Sequence, residues 1–174
     1  MFSDPEKNIG QFALREGMHV ADFGAGSGHY SIAAAKKVGD TGTVFAIEVQ
    51  KELLDRITEE ATRQNVNNIK VLWGDIEHLK GTRLRDQSID AVIVSNVLFQ
   101  VEHKQGMIQE ISRILVPGGM VLCIDWSESF GGLGPAPDHV VQQETAQKLF
   151  TDAGFTITQS IEPGAHHYGF IAVK

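Results

Sequence analysis

The chain has 174 residues and a mass of 19.0 kDa, which is the size of one ordinary domain. Hydrophobic residues make up 42% and charged residues 21%, a composition that excludes an intrinsically disordered protein. The formal net charge is −7, and the only close basic pairs are Lys36 with Lys37 and Arg83 with Arg85. Because a protein that binds phosphates needs a basic face, we expect a small-molecule partner and no nucleic acid.

The sequence also lacks targeting and disulfide signals. No run approaches the roughly 18 apolar residues of a membrane span, and the opening MFSDPEKNIG is unlike a signal peptide. The single cysteine, Cys123, lies in an apolar run, and we interpret it as an inert core residue. These features predict one domain over residues 1–174, located in the cytoplasm and without a membrane span.

Short apolar runs alternate with amphipathic segments of helical length, which is typical of βαβ units on a parallel sheet. The N-terminal segment 1–16 contains a helix that is capped by Asp4, reaches about residue 14 and turns Ile9, Phe12 and Ala13 inward. The predicted strands are 18–23, 43–48, 69–73, 89–95 and 120–125. The later predicted helices are 31–38, 51–64, 104–115 and 142–153.

The end of the chain departs from this alternation. Segments 155–161 and 168–173 have no helix between them, so they must form an antiparallel pair. We interpret 117–119 as a turn, and the Gly- and Pro-rich stretch 127–137 as a loop on the substrate side. The expected fold is an α/β three-layer sandwich with five parallel strands and a closing antiparallel hairpin.

A glycine-rich turn, DFGAGSGHY (22–30), follows the first strand. Glycines at a strand-to-helix turn let backbone amides approach a ligand and point at it. A dinucleotide fingerprint needs a third glycine where this chain has His29, and a bulky side chain there argues against a pyrophosphate site. This departure, together with the lack of a Tyr-x-x-x-Lys pair, disfavours a nicotinamide-dependent oxidoreductase.

The second strand ends at Glu48, which lies 48 − 28 = 20 residues after Gly28. This is the spacing at which an acidic side chain meets ribose hydroxyls. A carboxylate can accept from two hydroxyls at once, which suits a vicinal diol. The alternative is a plain surface glutamate, and the spacing does not distinguish one adenosine ribose from another.

With these residues the sequence resembles the class I S-adenosylmethionine-dependent methyltransferases. VADFGAGSG (20–28) is similar to their first motif, VFAIE (44–48) to the strand with their ribose-binding acid, and GDI (74–76) to their adenine-binding motif. DAVIVSN (90–96) and LVPGG (115–119) resemble the fourth-strand motif and the turn before strand five. The resemblance is strongest to the small stand-alone type related to the ubiquinone- and menaquinone-biosynthesis enzymes. It implies a Rossmann-like sheet of order 3-2-1-4-5-7-6.

The resemblance also implies S-adenosylmethionine as the cofactor. The glycine loop would lie under its methionine part, with Asp22 near the amino group and Glu48 on the ribose. Asp75 would accept from the adenine amino group, although it also fits a plain turn residue. The complete implied cofactor set is Asp22, Gly24, Ala25, Gly26, Gly28, Tyr30, Glu48, Val49, Gly74, Asp75, Ile76, Ser95, Asn96 and Val97.

The acceptor side is less well defined by the sequence. Ligands of open α/β sheets lie beyond the carboxyl ends of the strands. The candidate bases or substrate ligands there are His103, Asp125, His166 and His167, each of which alone also fits a surface or structural residue. A candidate apolar or cation-binding wall consists of Phe99, Trp126, Phe130 and Tyr168, with core packing as the alternative for Phe99. No ligand-spacing motif supports a metal site, and one cysteine argues against the chemistry of arsenite-methylating relatives.

These observations predict an enzyme that moves the methyl group of S-adenosylmethionine to a small-molecule acceptor by in-line displacement. A sulfonium methyl is already activated, so alignment alone can be worth roughly 7–11 kcal/mol without a strong base. The alternative is a non-catalytic S-adenosylmethionine-binding module that supports a partner protein. A homodimer whose second subunit completes the site stays open, and the sequence does not identify the acceptor.

Overall fold

A computed structural model describes residues 3–174. The strands are β1 (His19–Phe23), β2 (Thr43–Glu48), β3 (Ile69–Trp73), β4 (Ile89–Ser95), β5 (Leu115–Trp126), β6 (Thr156–Ile161) and β7 (His167–Val173). The helices are α1 (Pro5–Gln11), α2 (His29–Val38), α3 (Lys51–Arg63), α4 (Lys104–Ile114) and α5 (Gln143–Asp152), and a 3-10 turn covers Pro137–His139. The strands form one sheet of order β3-β2-β1-β4-β5-β7-β6, so the predicted order is confirmed. Strand β7 is antiparallel to both neighbours, as the hairpin prediction required.

The parallel register brings the functional edge together. Strand β1 lies between β2 and β4, and Phe23 at its end pairs with Ile47 on one side and Val94 on the other. The carboxyl ends of β1, β2 and β4 are therefore level. Since the chain leaves β1 in opposite directions toward β2 and β4, this level is the topological switch point where open α/β sheets bind ligands.

Both faces of the sheet are covered by apolar helix surfaces. In β4 the side chains of Val92 and Val94 join the core beneath α4 and α5, whereas those of Ala91 and Ile93 join the core beneath α1 and α2. All four are fully buried. A strand buried on both sides reads as a continuous apolar run, which is why the sequence made β4 easy to recognise.

The first helix is shorter than predicted. Asp4 caps it as expected, accepting hydrogen bonds from the amides of Glu6 and Lys7, but the helix ends at Gln11. Phe12 has extended backbone angles, and from there Phe12 and Leu14 are buried while Ala13 is exposed. The prediction that Ala13 faces inward was wrong, because alternation of faces replaces helical spacing after residue 11.

The predicted turn at 117–119 lies inside β5. The pairing of β4 with β5 shifts between Ile89 and Ala91, and Gly118 has a φ of 77°. The amide of Gly118 donates to the Lys174 carbonyl, and the Lys174 amide donates to the Gly119 carbonyl. The glycines therefore make an irregularity within a paired strand, which the end of the chain stabilises.

Candidate functional site

The glycine loop between β1 and α2 requires glycine at its ends and is open in its middle. Gly24, Gly26 and Gly28 have φ values of 68°, 55° and 82°, which other residues adopt at a cost. A Cβ at Gly24 would lie 2.9 Å from Val97, and one at Gly28 would lie 3.1 Å from Ile57. A Cβ at Gly26 would meet nothing nearer than 4.0 Å. The backbone at Gly26 therefore has space beside it for a ligand.

Glu48 at the end of β2 is not a surface glutamate. It is only 6% exposed. Its Oε1 accepts from the amides of Val49 (2.8 Å) and Gln50 (3.0 Å), and its Oε2 accepts from the Gly26 amide at 3.0 Å. A carboxylate has about four acceptor positions, so at least one remains for a ligand hydroxyl. The same side chain thus holds the glycine loop and can face a bound diol.

Asp22 is buried beneath the loop. Its Oδ2 accepts a 2.6 Å hydrogen bond from the Ser31 hydroxyl. Burial raises the pKa of Asp22 to about 6, and the nearby Glu48 carboxylate adds to this, while the hydrogen bonds from Ser31 oppose it. The Asp22 carboxyl is therefore sensitive to any positive charge brought into the loop, such as an ammonium group.

Two further members of the implied cofactor set hold the loop from outside. The amide of Ala25 donates to the Ile47 carbonyl at 3.0 Å. The Tyr30 hydroxyl lies 2.7 Å from the Ser3 hydroxyl and accepts from Asn8 Nδ2 at 2.8 Å. Tyr30 therefore joins the start of α2 to α1 and to the chain before it.

Asp75, after β3, makes the turn that was one of its two predicted roles, and its role toward adenine stays a prediction. Its Oδ1 accepts from the Glu77 amide and its Oδ2 contacts His78 Nδ1, each at 2.8 Å, which makes a turn. The side chain is nevertheless 50% exposed and keeps acceptor positions for a ligand. Of the other implied cofactor residues on this side, Val49 is 51% exposed, whereas Ile76 is buried.

The loop that carries Asp75 is held by Glu110, a residue that the sequence analysis missed. Glu110 lies on α4 and is fully buried; it accepts from the Lys80 amide (2.8 Å) and the Thr82 hydroxyl (2.5 Å) and pairs with Arg113. Burial alone would raise the pKa of Glu110, but Arg113, Thr82 and the Lys80 amide together hold it below its usual value. The signal was present: Glu110 is three residues after Met107, at the spacing of the apolar face.

The end of β4 presents unpaired polar atoms beside the glycine loop. Ser95 Oγ and Asn96 Oδ1 are buried and have no hydrogen-bond partner within residues 3–174. Asn96 has a φ of 57°, and Val97 packs directly against Gly24. Buried polar atoms are nearly always paired in native proteins. Together with the space beside Gly26, these atoms fit a ligand with polar groups at its methionine end.

The structure separates the candidate bases. His103 lies at the start of α4, where its amide donates to Glu77 and its ring contacts that of His78 at 5.7 Å between centroids. His166 and His167 lie instead at the start of β7, near Trp126 and the 127–137 loop. No group of three metal-ligating side chains occurs in the described part of the chain.

Asp125 is fully buried behind the site. Its carboxylate accepts from the amides of Leu98 at 2.7 Å and Trp126 at 2.8 Å. Burial raises the pKa of Asp125 to about 6, opposed by these amides and those of Phe99 and Val97. The geometry gives Asp125 a positioning role for the segment after β4.

A cleft of about 450 Å³ lies at the ends of β4, β5 and β7. The Trp126 indole and the His167 imidazole form one side, with centroids 4.2 Å apart. The backbone of Gly134 lies against the indole so closely that a Cβ there would be 2.7 Å from it. The cleft is lined by Ser3, Asn96, Trp126, Leu133, Gly134 and His167.

Of the predicted wall, Trp126 lines this cleft and Phe130 lies beside it, stacked on His166 at 3.8 Å. Tyr168 does not belong to the wall. Its ring is buried in the core, parallel to Phe170 at 6.4 Å, because neighbouring residues of a strand face opposite sides. Phe99 is half-buried and does not line the cleft either.

The fold and site define a Rossmann-like, S-adenosylmethionine-binding class of protein, and comparison with known proteins agrees. Residues 14–162 match a family described as a methyltransferase domain. The chain belongs to this methyltransferase family. The crystal structure of an S-adenosylmethionine-dependent methyltransferase from Aquifex aeolicus is 28% identical, with a TM-score of 0.88 over 99% of this chain and 90% of that one.

Two relatives carry more specific names. An arsenite methyltransferase from Halobacterium salinarum is 28% identical over 162 residues, which are 93% of this chain and 39% of the relative. A demethylmenaquinone methyltransferase from Staphylococcus aureus is 34% identical over 115 residues, which are 66% of this chain and 46% of the relative. The chain thus spans less than half the length of these relatives. Among residues 3–174 no helix has the length and apolar character needed to cross a membrane.

Proposed function

We propose that the protein transfers the methyl group of S-adenosylmethionine to a small-molecule acceptor by in-line displacement. The observation that carries this proposal is the hydrogen bond between the Gly26 amide and Glu48 Oε2, which joins the glycine loop to a buried carboxylate at the switch point of the sheet. The bound cofactor supplies a methyl group on a positive sulfur. The residues of this chain supply alignment, which is the main requirement of such a transfer.

Each part of the site has a proposed task. The loop from Gly24 to Gly28 holds the methionine part, with Asp22 and the unpaired atoms of Ser95 and Asn96 facing its polar groups. Glu48 accepts from the ribose: one hydroxyl fits its free acceptor position, and a second competes with the Gly26 amide. On the adenine side, Asp75 accepts from the amino group while Val49 and Ile76 cover the ring.

The acceptor belongs on the side of the Trp126 cleft, because that cleft adjoins Asn96 and is mostly apolar. The names of the relatives do not identify the acceptor of this protein. An arsenic acceptor is disfavoured here, since Cys123 is the only cysteine and is buried, and burial raises the pKa of its thiol. The possibility of a homodimer and the exclusion of nucleic acid stay predictions from the sequence.

Titration calorimetry with S-adenosylmethionine tests the donor site. Glu48→Ala should weaken binding by about 1.5–3 kcal/mol, the usual worth of hydrogen bonds to a charged group, or roughly 10- to 150-fold. Glu52→Ala removes a nearby exposed charge on α3 and should leave binding unchanged. Glu48→Gln retains a hydrogen-bond acceptor at this position and is the control for a general loss of the fold in Glu48→Ala. Unchanged affinity in Glu48→Ala would remove Glu48 from the site.

Transfer itself is tested by incubating the protein with methyl-labelled S-adenosylmethionine and a library of small molecules. We expect label in at least one acceptor and formation of the demethylated cofactor. Binding of the cofactor without any transfer would instead favour the alternative of a non-catalytic module.

A further inference from the structure

His167 differs from the other candidate bases in how its ring is hydrogen-bonded. Its Nδ1 lies 2.8 Å from the Ala165 carbonyl oxygen, which can only accept, so Nδ1 must carry a hydrogen. Its Nε2 is buried and has no hydrogen-bond partner in the described chain. When the ring is neutral, Nε2 is therefore a bare acceptor that lacks a donor.

The surroundings of His167 favour the neutral ring. Burial lowers the pKa of His167, opposed by the bond to Ala165, and the neighbouring His166 lowers it further. The other charged groups nearby are Glu128, which contacts His166, and Lys7 and Glu162, which line a second cleft that shares His167. In the described chain no carboxylate hydrogen-bonds the His167 ring, so a cationic imidazolium has no direct partner there.

The cleft beside His167 restricts the shape of what can bind. Its volume of about 450 Å³ suits a small organic molecule. Trp126 offers an aromatic surface that the His167 ring and the Gly134 backbone partly cover, and Leu133 offers an aliphatic one. The described lining contains no charged carboxylate or ammonium side chain, which argues against an ionic acceptor. Asn96 connects the cleft to the proposed methionine end of the cofactor site.

Building on the proposed function, we propose that the acceptor is a flat, apolar molecule with an ionisable hydroxyl, of the phenol or enol class, and that His167 Nε2 takes its proton. The hydroxyl supplies the donor that Nε2 lacks. As its proton moves to Nε2, an oxygen lone pair forms the new O–C bond. The bond between methyl carbon and sulfur breaks, and its electron pair stays on sulfur.

Nuclear magnetic resonance of isotope-labelled protein tests the ring without any turnover. We expect His167 to be neutral at neutral pH, with hydrogen on Nδ1 and none on Nε2. His167→Asn identifies the signals, and it retains a donor amide near the Nδ1 position while deleting Nε2. A ring with hydrogen on Nε2 in the free protein would overturn the proposal.

Kinetics with 4-methylphenol, which stays protonated at neutral pH, and with a panel of other phenols, thiols and amines test the acceptor class. We expect methyl ethers as products, and a kcat in His167→Asn that is lower by roughly 100- to 10,000-fold, with unchanged calorimetric affinity for S-adenosylmethionine. The difference in kcat between His167→Asn and the wild type should become smaller at alkaline pH, because a phenolate needs no base. His19→Asn, at the amino end of β1 and therefore at the opposite end of the strands from the cleft, should behave like the wild type.

The outcomes separate this proposal from the broader one. Transfer of the methyl group to amines only, or to no phenol, would overturn the proposed acceptor class. If S-adenosylmethionine still bound, the proposed donor site would stand. A deficit in His167→Asn that is equal at every pH would overturn the role of Nε2 as a base. If the wild-type protein did not bind S-adenosylmethionine at all, that result would contradict the proposed function.

Discussion

The proposed donor side of the site, around Asp22 and Glu48, and its proposed acceptor side, around the Trp126 cleft, are built in different ways. On the donor side, buried carboxylates and backbone amides fix the geometry: Asp22 and Glu48 are 2% and 6% exposed. On the acceptor side, rings and glycines do so: Phe130 and Leu133 are 42% and 52% exposed, and contacts between rings connect the 127–137 loop to β7. Hydrogen bonds to buried charges are directional and strong, whereas exposed ring contacts are weaker and adaptable.

This contrast suggests a division of labour. We propose that the donor side is preformed for a single ligand, S-adenosylmethionine, so that its rigidity does not reduce specificity. The acceptor side has a Gly-rich loop that can vary without disturbing the sheet, as functional loops on a stable scaffold commonly do. The contrast makes three predictions: substitutions at Glu110 and Asp22 on the donor side should change the free energy of unfolding, and a glycine substitution on the acceptor side should change acceptor binding without changing donor binding.

The largest effect is expected from Glu110→Ala. The substitution removes the acceptor for the Lys80 amide and Thr82 hydroxyl. It leaves the nearly buried Arg113 with the exposed Asp86 carboxylate and the Leu84 carbonyl. Removing one partner of a buried pair typically costs about 3–5 kcal/mol. Urea unfolding should show this loss, and S-adenosylmethionine should bind more weakly because the Asp75 loop is released.

Gln109→Ala is the matched control, since Gln109 is the exposed neighbour on the same helix. It should change the free energy of unfolding by no more than about 0.5 kcal/mol. If both variants unfold alike, Glu110 is not what holds the Asp75 loop, and the donor side is less rigid than we infer.

The next effect is a pH dependence that Asp22 should impose on stability. The pKa of Asp22 is raised by burial from 3.8 to about 6 in the folded protein. The folded state thus binds a proton that the unfolded state has already lost between these values. Its contribution to stability is complete below pH 3.8 and is lost as the pH rises through about 6. The loss is about 3 kcal/mol at 1.36 kcal/mol per pKa unit.

Asp22→Asn should remove this dependence, because the amide oxygen still accepts from Ser31 but does not ionise. Unfolding measured from acidic to neutral pH should show the variant gaining stability relative to the wild type. Asp40→Asn, at an exposed position, should follow the wild type throughout. A constant difference between Asp22→Asn and wild type would show that Asp22 is not desolvated as the structure indicates.

The same contrast explains how far the sequence could predict the structure. The glycine loop, Glu48 and the positions of the strands depend on short-range patterns: backbone conformation after a strand, fixed spacing, and apolar runs. The strand order was implied by the resemblance to methyltransferases. The burial of Tyr168 depends instead on register and on side-chain direction in β7. The position of His103 depends on its contacts with Glu77 and His78, which are distant in sequence. A one-residue difference in a strand exchanges its faces, so proximity in sequence could not tell which hairpin side chain enters the cleft.

The smallest expected effect, and the sharpest test of the acceptor side, comes from two glycines of the 127–137 loop. Gly132 and Gly134 have nearly equal φ values of 76° and 75°, so alanine at either incurs the same backbone strain of roughly 1–2 kcal/mol. A Cβ at Gly132 would meet nothing within 4 Å, whereas one at Gly134 would clash with Trp126 at 2.7 Å. Any difference between the variants therefore reports on contact with the indole.

In a Trp73→Phe background the only tryptophan is Trp126, since the chain has two. Gly134→Ala should change the Trp126 fluorescence and weaken binding of acceptor analogues, while Gly132→Ala should do neither. Both should keep wild-type affinity for S-adenosylmethionine, because within residues 3–174 no hydrogen bond joins the 127–137 loop to the glycine loop or to Glu48. If Gly134→Ala instead weakened donor binding as much as acceptor binding, the two sides would not be independent. The 127–137 loop would then help to hold the donor side in place.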